Sequence, residues 1–215
     1  MPGCLIPLLL SIFFLPMLFF IMFFNITALS FAKLGLSPLG AMLLFTSILF
    51  GSVINIPVSR KRIYIEDPYP YRFPFFYYYP PRVREQVIAV NLGGAVIPTL
   101  FSLYLLFFKA PFIPSLIATA VITFVSKKLA RPVPGVGISM PAFIPPLIAA
   151  ALALILAKEN AAPVAFISGV LGTLIGADLL NLHYLDELGA QVLSIGGAGV
   201  FDGIFLVGVV AAFLT

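Results

Sequence analysis

The feature that most restricts the fold is a series of long apolar runs that occupies most of the chain. Of the 215 residues, 61% are hydrophobic and only 9% are charged, which excludes an ordinary soluble domain. A membrane-spanning helix needs about 20 consecutive apolar residues. Seven runs meet this requirement approximately, and they predict an all-α, polytopic membrane helix bundle that forms a single domain over residues 1–215. Their approximate limits are 5–25, 38–57, 86–108, 111–126, 138–157, 162–182 and 191–214.

The basic residues predict how this bundle is oriented. Loops rich in Lys and Arg remain in the cytoplasm, so we expect an inner-membrane protein with a cytoplasmic N-terminus and an external C-terminus. Basic residues at the ends of spans also argue against a nucleic-acid partner and in favour of the lipid bilayer. The predicted cytoplasmic loops contain Arg60, Lys61, Arg62, Arg72, Arg82, Arg84, Lys127, Lys128 and Arg131, and the opposite side contains Lys33, Lys109 and Lys158.

The one long connection covers residues 58–85 and is dense in proline, tyrosine and phenylalanine, with arginines near both ends. Proline blocks helix formation and favours extended backbone. Aromatic residues beside arginine suit the headgroup layer of a membrane. We therefore predict a cytoplasmic loop that lies on the inner membrane surface. The alternative is a gate or a partner-docking segment over a functional site.

Two predicted spans each contain one acid, Asp178 in the sixth and Asp202 in the seventh. An ionised aspartate at the centre of a membrane helix costs about 2.5–3.5 kcal/mol, so acids in such places indicate a functional site. The predicted orientation has the sixth span running inward and the seventh outward, so both acids lie in the cytoplasmic half. They are the predicted catalytic pair.

The chemistry of this pair leaves three interpretations open. Two carboxyls that meet in a low-dielectric site share one proton, because two close negative charges do not persist together. This state suits aspartyl proteolysis, in which one carboxylate activates water while the other acid polarises the peptide carbonyl. It equally suits a proton relay or a cation site. The third interpretation is two separate protonated acids that only hydrogen-bond to backbone.

Amides and glycines near the acids complete the predicted site. Asn181 lies one turn after Asp178 and is placed to hydrogen-bond it. The glycines at the start of the seventh span permit a locally opened backbone, which at membrane depth must line a polar cavity or be buried in protein. No cofactor and no metal is predicted, since the chain has one cysteine and His183 lacks a ligand-like spacing. The predicted substrate-binding residues are Asn55, Asn91, Asn181 and Gly199.

Similar motifs in the two halves suggest an internal repeat. Pro38 and Pro163 each begin a span that has a glycine thirteen positions later. The next spans open with Asn-Leu-Gly-Gly-Ala at 91–95 and Ser-Ile-Gly-Gly-Ala at 194–198. This pattern predicts a 3+1+3 parallel repeat of the kind known among transporters. A transporter of a small solute, coupled to protons or cations, is therefore the alternative function, and a structural subunit is a third possibility.

Five motifs distributed over the chain resemble a prokaryotic integral-membrane family known only as a domain of unknown function. This resemblance implies a membrane fold and no activity. The motifs are NIP at 55–57, NLGGAVIP at 91–98, ARPVPGVGISMPA at 130–142, IGADLLNL at 175–182 and GGAGVFDGIFL at 196–206.

The chain also resembles, more weakly, the intramembrane aspartyl proteases of the presenilin and signal-peptide-peptidase group. In that group one aspartate lies on an inward-running sixth span and a Gly-x-Gly-Asp motif lies on the seventh, which matches Asp178 and Asp202. The chain departs from that group at two places. Phe201 stands where the motif has its inner glycine, and the Pro-Ala-Leu motif that follows the aspartates in that group is matched only by the segment 141–143, which precedes both acids. The resemblance implies an aspartyl hydrolase whose partner is a membrane-embedded peptide, and this is the most specific function we predict.

Overall fold

The structure is a computed structural model, and it describes residues 5–65, 82–133, 137–184, 192–197 and 203–215. Most of these residues are helical, which confirms the predominantly helical fold. The described helices are α1 (Leu5–Lys33), α2 (Pro38–Gly51), α3 (Ile97–Phe108), α4 (Phe112–Leu129), α5 (Ile144–Leu156), α6 (Ala161–Thr173) and α7 (Gly203–Leu214). The described strands, which the all-α prediction omitted, are β1 (Asn55–Ile65), β2 (Arg82–Asn91), β3 (Arg131–Val133), β4 (Gly137–Ser139) and β5 (Val192–Ile195).

Among the described residues, three helical segments are long and apolar enough to cross a membrane: Phe14–Lys33, Phe112–Leu129 and Lys158–Tyr184. The other apolar helices, Pro38–Gly51, Leu92–Phe108, Ile144–Leu156 and Phe205–Leu214, are each 10–17 residues long. Several apolar helices of this kind fit an integral membrane protein. Seven full spans, the orientation and the repeat remain predictions.

Helix α1 continues to Lys33, eight residues beyond its predicted end. Its polar residues do not end the helix, because their side chains donate to carbonyls four residues earlier. Gly35, which follows the end of the helix by two residues, stops it with a φ of 76°. There the N–H of Leu36 donates to the carbonyl of Phe31 at 3.1 Å, as in a Schellman motif. The donating side chains and distances are Asn25 at 2.8 Å, Thr27 at 2.9 Å and Ser30 at 2.8 Å.

Helix α6 is the centre of the bundle, and every residue from Ala161 to Val170 is buried. It contacts α3, α4, α5 and α7. Glycines allow the closest approaches: Gly172 packs on Ile122 of α4, and Gly169 packs on Gly208 of α7. Four phenylalanines join α6 to α1, α3 and α7, with ring centroids 5.3–6.3 Å apart. These are Phe31, Phe101, Phe166 and Phe205.

A three-stranded sheet lies at one end of this bundle. Strands β1 and β2 are antiparallel, from the pair Asn55 and Asn91 to the pair Ile65 and Arg82. Strand β5 runs parallel to β2, so the order is β1-β2-β5. The predicted spans 38–57, 86–108 and 191–214 were therefore too long, since each included strand residues at one end.

The predicted loop 58–85 also needs correction, because both of its ends belong to the paired strands β1 and β2. The proline- and aromatic-rich centre, 66–81, lies outside the described residues. A second hairpin, β3–β4, places Ile138 against a small apolar cluster that contains Leu193 of β5 and Ile88 of β2. The predicted fifth span, 138–157, begins as a helix only at Ile144, because Ile138 and Ser139 are strand residues.

Candidate functional site at the end of helix α6

Asp178 closes a π-helical turn, Leu174–Asp178, that follows α6 directly. Such turns widen a helix locally and often mark functional sites. The side chain is partly buried, and its Oδ2 accepts a hydrogen bond of 2.8 Å from the backbone N–H of Gly196. Within the described parts of the chain, this is the one hydrogen bond to the carboxylate. The bond holds the acid against the segment that follows β5.

Gly196 connects the acid to the start of the helix that follows β2. It has a φ of 86° and packs closely on Gly94 and Ala95. A Cβ atom at this position would lie 2.7 Å from the backbone nitrogen of Ala95. Gly94 and Ala95 belong to a second π-helical turn, Leu92–Val96, which leads into α3. The glycine therefore lets three backbone segments meet beside Asp178.

Two asparagines and one serine link the three strands at the end of the sheet nearest the helices. Asn91 is fully buried, and its Nδ2 donates to the carbonyl of Ser52 at 2.7 Å and to Oδ1 of Asn55 at 3.1 Å. Its Oδ1 accepts from the N–H of Gly94 at 2.7 Å, which caps the turn that leads into α3. Ser194 of β5 donates to Oδ1 of Asn55 at 2.6 Å. This amide cluster fixes the position of β5 at Ser194, two residues before Gly196.

The structure brings together three of the predicted site residues and places a fourth nearby. Asn55 and Asn91 bond to each other, and β5 connects them to Asp178 through Gly196. Asn181 is buried, and its amide donates to the carbonyls of Gly176 and Ala177 at 3.0 and 2.9 Å rather than to Asp178. Asp202 and Gly199 lie outside the described residues, so the meeting of the two acids remains a prediction.

Sequence reasoning missed Ser194 and the role of the Gly196 amide. Both depend on the parallel pairing of β2 with β5, which joins residues about a hundred positions apart. The local signal was the polar residue and paired glycines, Ser-Ile-Gly-Gly, immediately before the last helix. Among the described residues, no group of three or more His, Cys, Asp or Glu side chains is placed to hold a metal ion.

The fold and the site define a class: a predominantly helical protein of membrane type, with a partly buried carboxyl where its central helix meets a small sheet. The model of a family described as "Protein of unknown function (DUF1614)" matches residues 49–214, and the chain belongs to that family. The resemblance to a family of unknown function is thereby confirmed, without an activity. The chain matches no curated protein and no protein of solved structure.

We expect Asn91→Ala to destabilise the protein, by about 1–3 kcal/mol for each buried partner left unpaired. The Ser52 carbonyl and the Gly94 N–H would both lose a bond. Asn91→Asp keeps the acceptor for Gly94 but should be no more stable than Asn91→Ala, because its second carboxyl oxygen would face two acceptors, the Ser52 carbonyl and Asn55 Oδ1. Thermal unfolding in detergent measures the stability of both variants, and Asn160→Ala is the control because Asn160 is exposed and its side chain makes no capping hydrogen bond. A loss no greater than that of Asn160→Ala would contradict the structural role of Asn91.

Proposed function

We propose that the protein is an intramembrane aspartyl hydrolase that cleaves an extended segment of a membrane peptide, with Asp178 and Asp202 as its acid pair. The observation that carries the proposal is the hydrogen bond from Gly196 to Asp178, which places a carboxyl directly after an edge strand. Peptide bonds in a helix are shielded by their own hydrogen bonds, so cleavage inside a membrane needs a site that holds the substrate extended. An edge strand is such a site.

Strand β5 has the properties that this role requires. It pairs with β2 on one side, and no described strand pairs with its other side. The unpaired N–H and C=O groups of an edge strand bind an extended peptide by strand addition. A peptide bound along β5 would run toward Gly196, whose N–H is 2.8 Å from the Asp178 carboxylate. The scissile carbonyl would then lie beside the acid.

The reaction follows from the two carboxyls sharing one proton. The ionised carboxylate removes a proton from water as the water oxygen bonds to the peptide carbonyl carbon, and the protonated acid donates to the carbonyl oxygen. The carbon–nitrogen bond then breaks as the carboxyl that took the proton from water gives it to the leaving nitrogen, and the other carboxylate takes a proton back from a hydroxyl of the intermediate as the carbonyl re-forms. Helices α6 and α7 pack on each other, with Gly169 against Gly208, and this contact supports the pairing. Asp178 follows α6, and Asp202 directly precedes α7 in sequence.

The test uses the purified protein in detergent with a panel of quenched fluorescent peptides from apolar membrane segments. We expect cleavage by the wild type, and Asp178→Asn and Asp202→Asn should each lower the rate by roughly 10²–10⁴-fold, the usual contribution of acid–base catalysis. Glu159→Gln is the matched control, because Glu159 is an exposed acid at the opposite end of α6. Activity that survives either aspartate substitution would refute the proposal.

A small-solute or proton/cation-coupled transporter is the second candidate, and buried hydroxyls favour it. Buried polar groups are nearly always hydrogen-bonded, so bound water or a polar solute would supply the missing partners. The test is uptake of a small solute by proteoliposomes. Uptake that is lost in Asp178→Asn, from a protein that cleaves no peptide, would support this candidate over the hydrolase. The hydroxyls that lack a partner within the described structure are those of Thr99, Ser102, Ser126 and Thr173.

A further inference from the structure

Helix α1 has an exposed stripe of residues spaced alternately by four and three positions. A 3.5-residue period is the heptad pattern by which one helix packs along another. In the C-terminal half of the helix, the opposite face, which contains Thr27 and Ser30, is buried in the bundle. Five of the six residues of the stripe are exposed and Ala28 is half-buried; the exposed fractions are 58% for Phe14, 64% for Leu18 and 49% for Ile21. We call it the α1 seam: Phe14, Leu18, Ile21, Asn25, Ala28 and Ala32.

Asn25 is the one polar residue of this seam, and it is exposed within the apolar segment Phe14–Lys33. Its Nδ2 donates to the carbonyl of Ile21 at 2.8 Å, and no described residue donates to its Oδ1. Lipid chains offer no hydrogen bonds, so a polar side chain exposed to them needs a protein partner. That partner must carry a donor at the same depth in the membrane.

We propose that the α1 seam packs against the α1 seam of a second copy of this chain, in a parallel dimer with two-fold symmetry. Two copies inserted in the same direction bring Asn25 to the same depth. An amide carries both a donor and an acceptor, so two asparagines related by a two-fold axis satisfy each other. Asparagine at one core position of a heptad seam selects the register and the number of helices in the same way.

The surface beside the seam has room for this partner. A cavity of about 370 Å³ lies between α1 and α2, with Asn25, Ala28 and Ala32 on one wall and Met42 and Phe45 on the other. The two alanines allow close approach of a second helix. Larger side chains of the partner's α1 would enter the cavity next to them. The seam thus combines a polar contact with a complementary space.

Cross-linking tests the predicted face. In a Cys4→Ser background, which removes the single native cysteine, Ile21→Cys should form a disulfide-linked dimer in membranes under mild oxidation. Phe19→Cys is the control, because Phe19 is 59% exposed on the same helix but lies off the seam. High yield at position 21 and low yield at position 19 supports the dimer. Equal yields at both positions, or no dimer at position 21, would overturn it.

A second measurement tests Asn25 itself. Energy transfer between labelled copies in liposomes, at increasing dilution in lipid, gives the dimer dissociation constant. Asn25→Leu should raise this constant roughly tenfold, as expected for the loss of an interhelical hydrogen bond in a membrane, and Asn25→Gln should restore it partly. Asn25 is exposed and its one described hydrogen bond is to its own helix, so we expect both variants to fold as the wild type does. A dissociation constant for Asn25→Leu equal to that of the wild type would overturn the proposal.

Discussion

Replacing Gly93 by alanine is expected to lower the free energy of unfolding by about 3 kcal/mol, at the upper end of the usual cost of overpacking. Gly93 lies in the turn Leu92–Val96, where its backbone touches the end of α2. An added methyl group would occupy the position between the carbonyl of Ile48 and the N–H of Ser52, two groups that hydrogen-bond each other at 2.9 Å. All the nearest atoms belong to backbone, so no side chain can move aside.

Gly40→Ala is the matched control for this prediction. Gly40 belongs to the first turn of α2, and its nearest neighbour would be Oγ of Ser37, the N-cap that accepts from the Gly40 N–H, at 3.3 Å from the new Cβ, so a shift of a few tenths of an ångström relieves the contact. We therefore expect a change of less than about 1 kcal/mol, the usual size of the glycine-to-alanine effect in a helix. Unfolding in detergent, followed by circular dichroism, compares the two variants. Equal stabilities would show that the contact between α2 and the turn before α3 is not close.

The existence of the helices could be predicted from hydropathy, because each helix contains a run of apolar residues long enough to be recognised. Their ends could not be predicted in the same way. The run 86–108 is mostly apolar from Val87, yet its first residues form β2 and only those from Leu92 onward are helical. Valine and isoleucine suit both environments, and what decides between them is the pairing of β2 with β1 and β5. Such pairings join distant residues and leave little local signal.

The candidate site shows the same limit. Asn55 and Asn91 could be selected from the sequence as amides near one face of the membrane. In the structure, Nδ2 of Asn91 donates to Oδ1 of Asn55 at 3.1 Å. Their roles are more specific than predicted, since Asn91 is fully buried and all of its described bonds hold backbone or Asn55 in place. Asp178 could be identified because acids are rare in apolar helices. Its backbone partner could not, because any residue can offer an N–H group.

Gly196→Ala is expected to damage both stability and function, because Gly196 combines an unusual backbone conformation with the contact to Asp178. A residue with a side chain at a φ of 86° costs about 1–2 kcal/mol. The new Cβ would also lie 2.7 Å from the nitrogen of Ala95 and 2.9 Å from the carbonyl carbon of Gly94. Relief of this overlap must move the segment after β5 away from the turn Leu92–Val96, and the N–H that binds Asp178 moves with it.

Gly35→Ala separates these two effects. Gly35 has a similar φ of 76°, but a Cβ there would meet only Lys109 Nζ, at 3.8 Å. It should therefore lose about 1–2 kcal/mol of stability and retain full activity. Gly196→Ala should lose more than this, and its rate of peptide cleavage should fall at least roughly tenfold at temperatures where both variants are folded, as for a displaced catalytic group. If the two variants matched in both stability and rate, the Gly196 amide would have no role in positioning the acid. If they differed in stability alone, Gly196 would serve the fold, and Asp178 would be oriented by other groups.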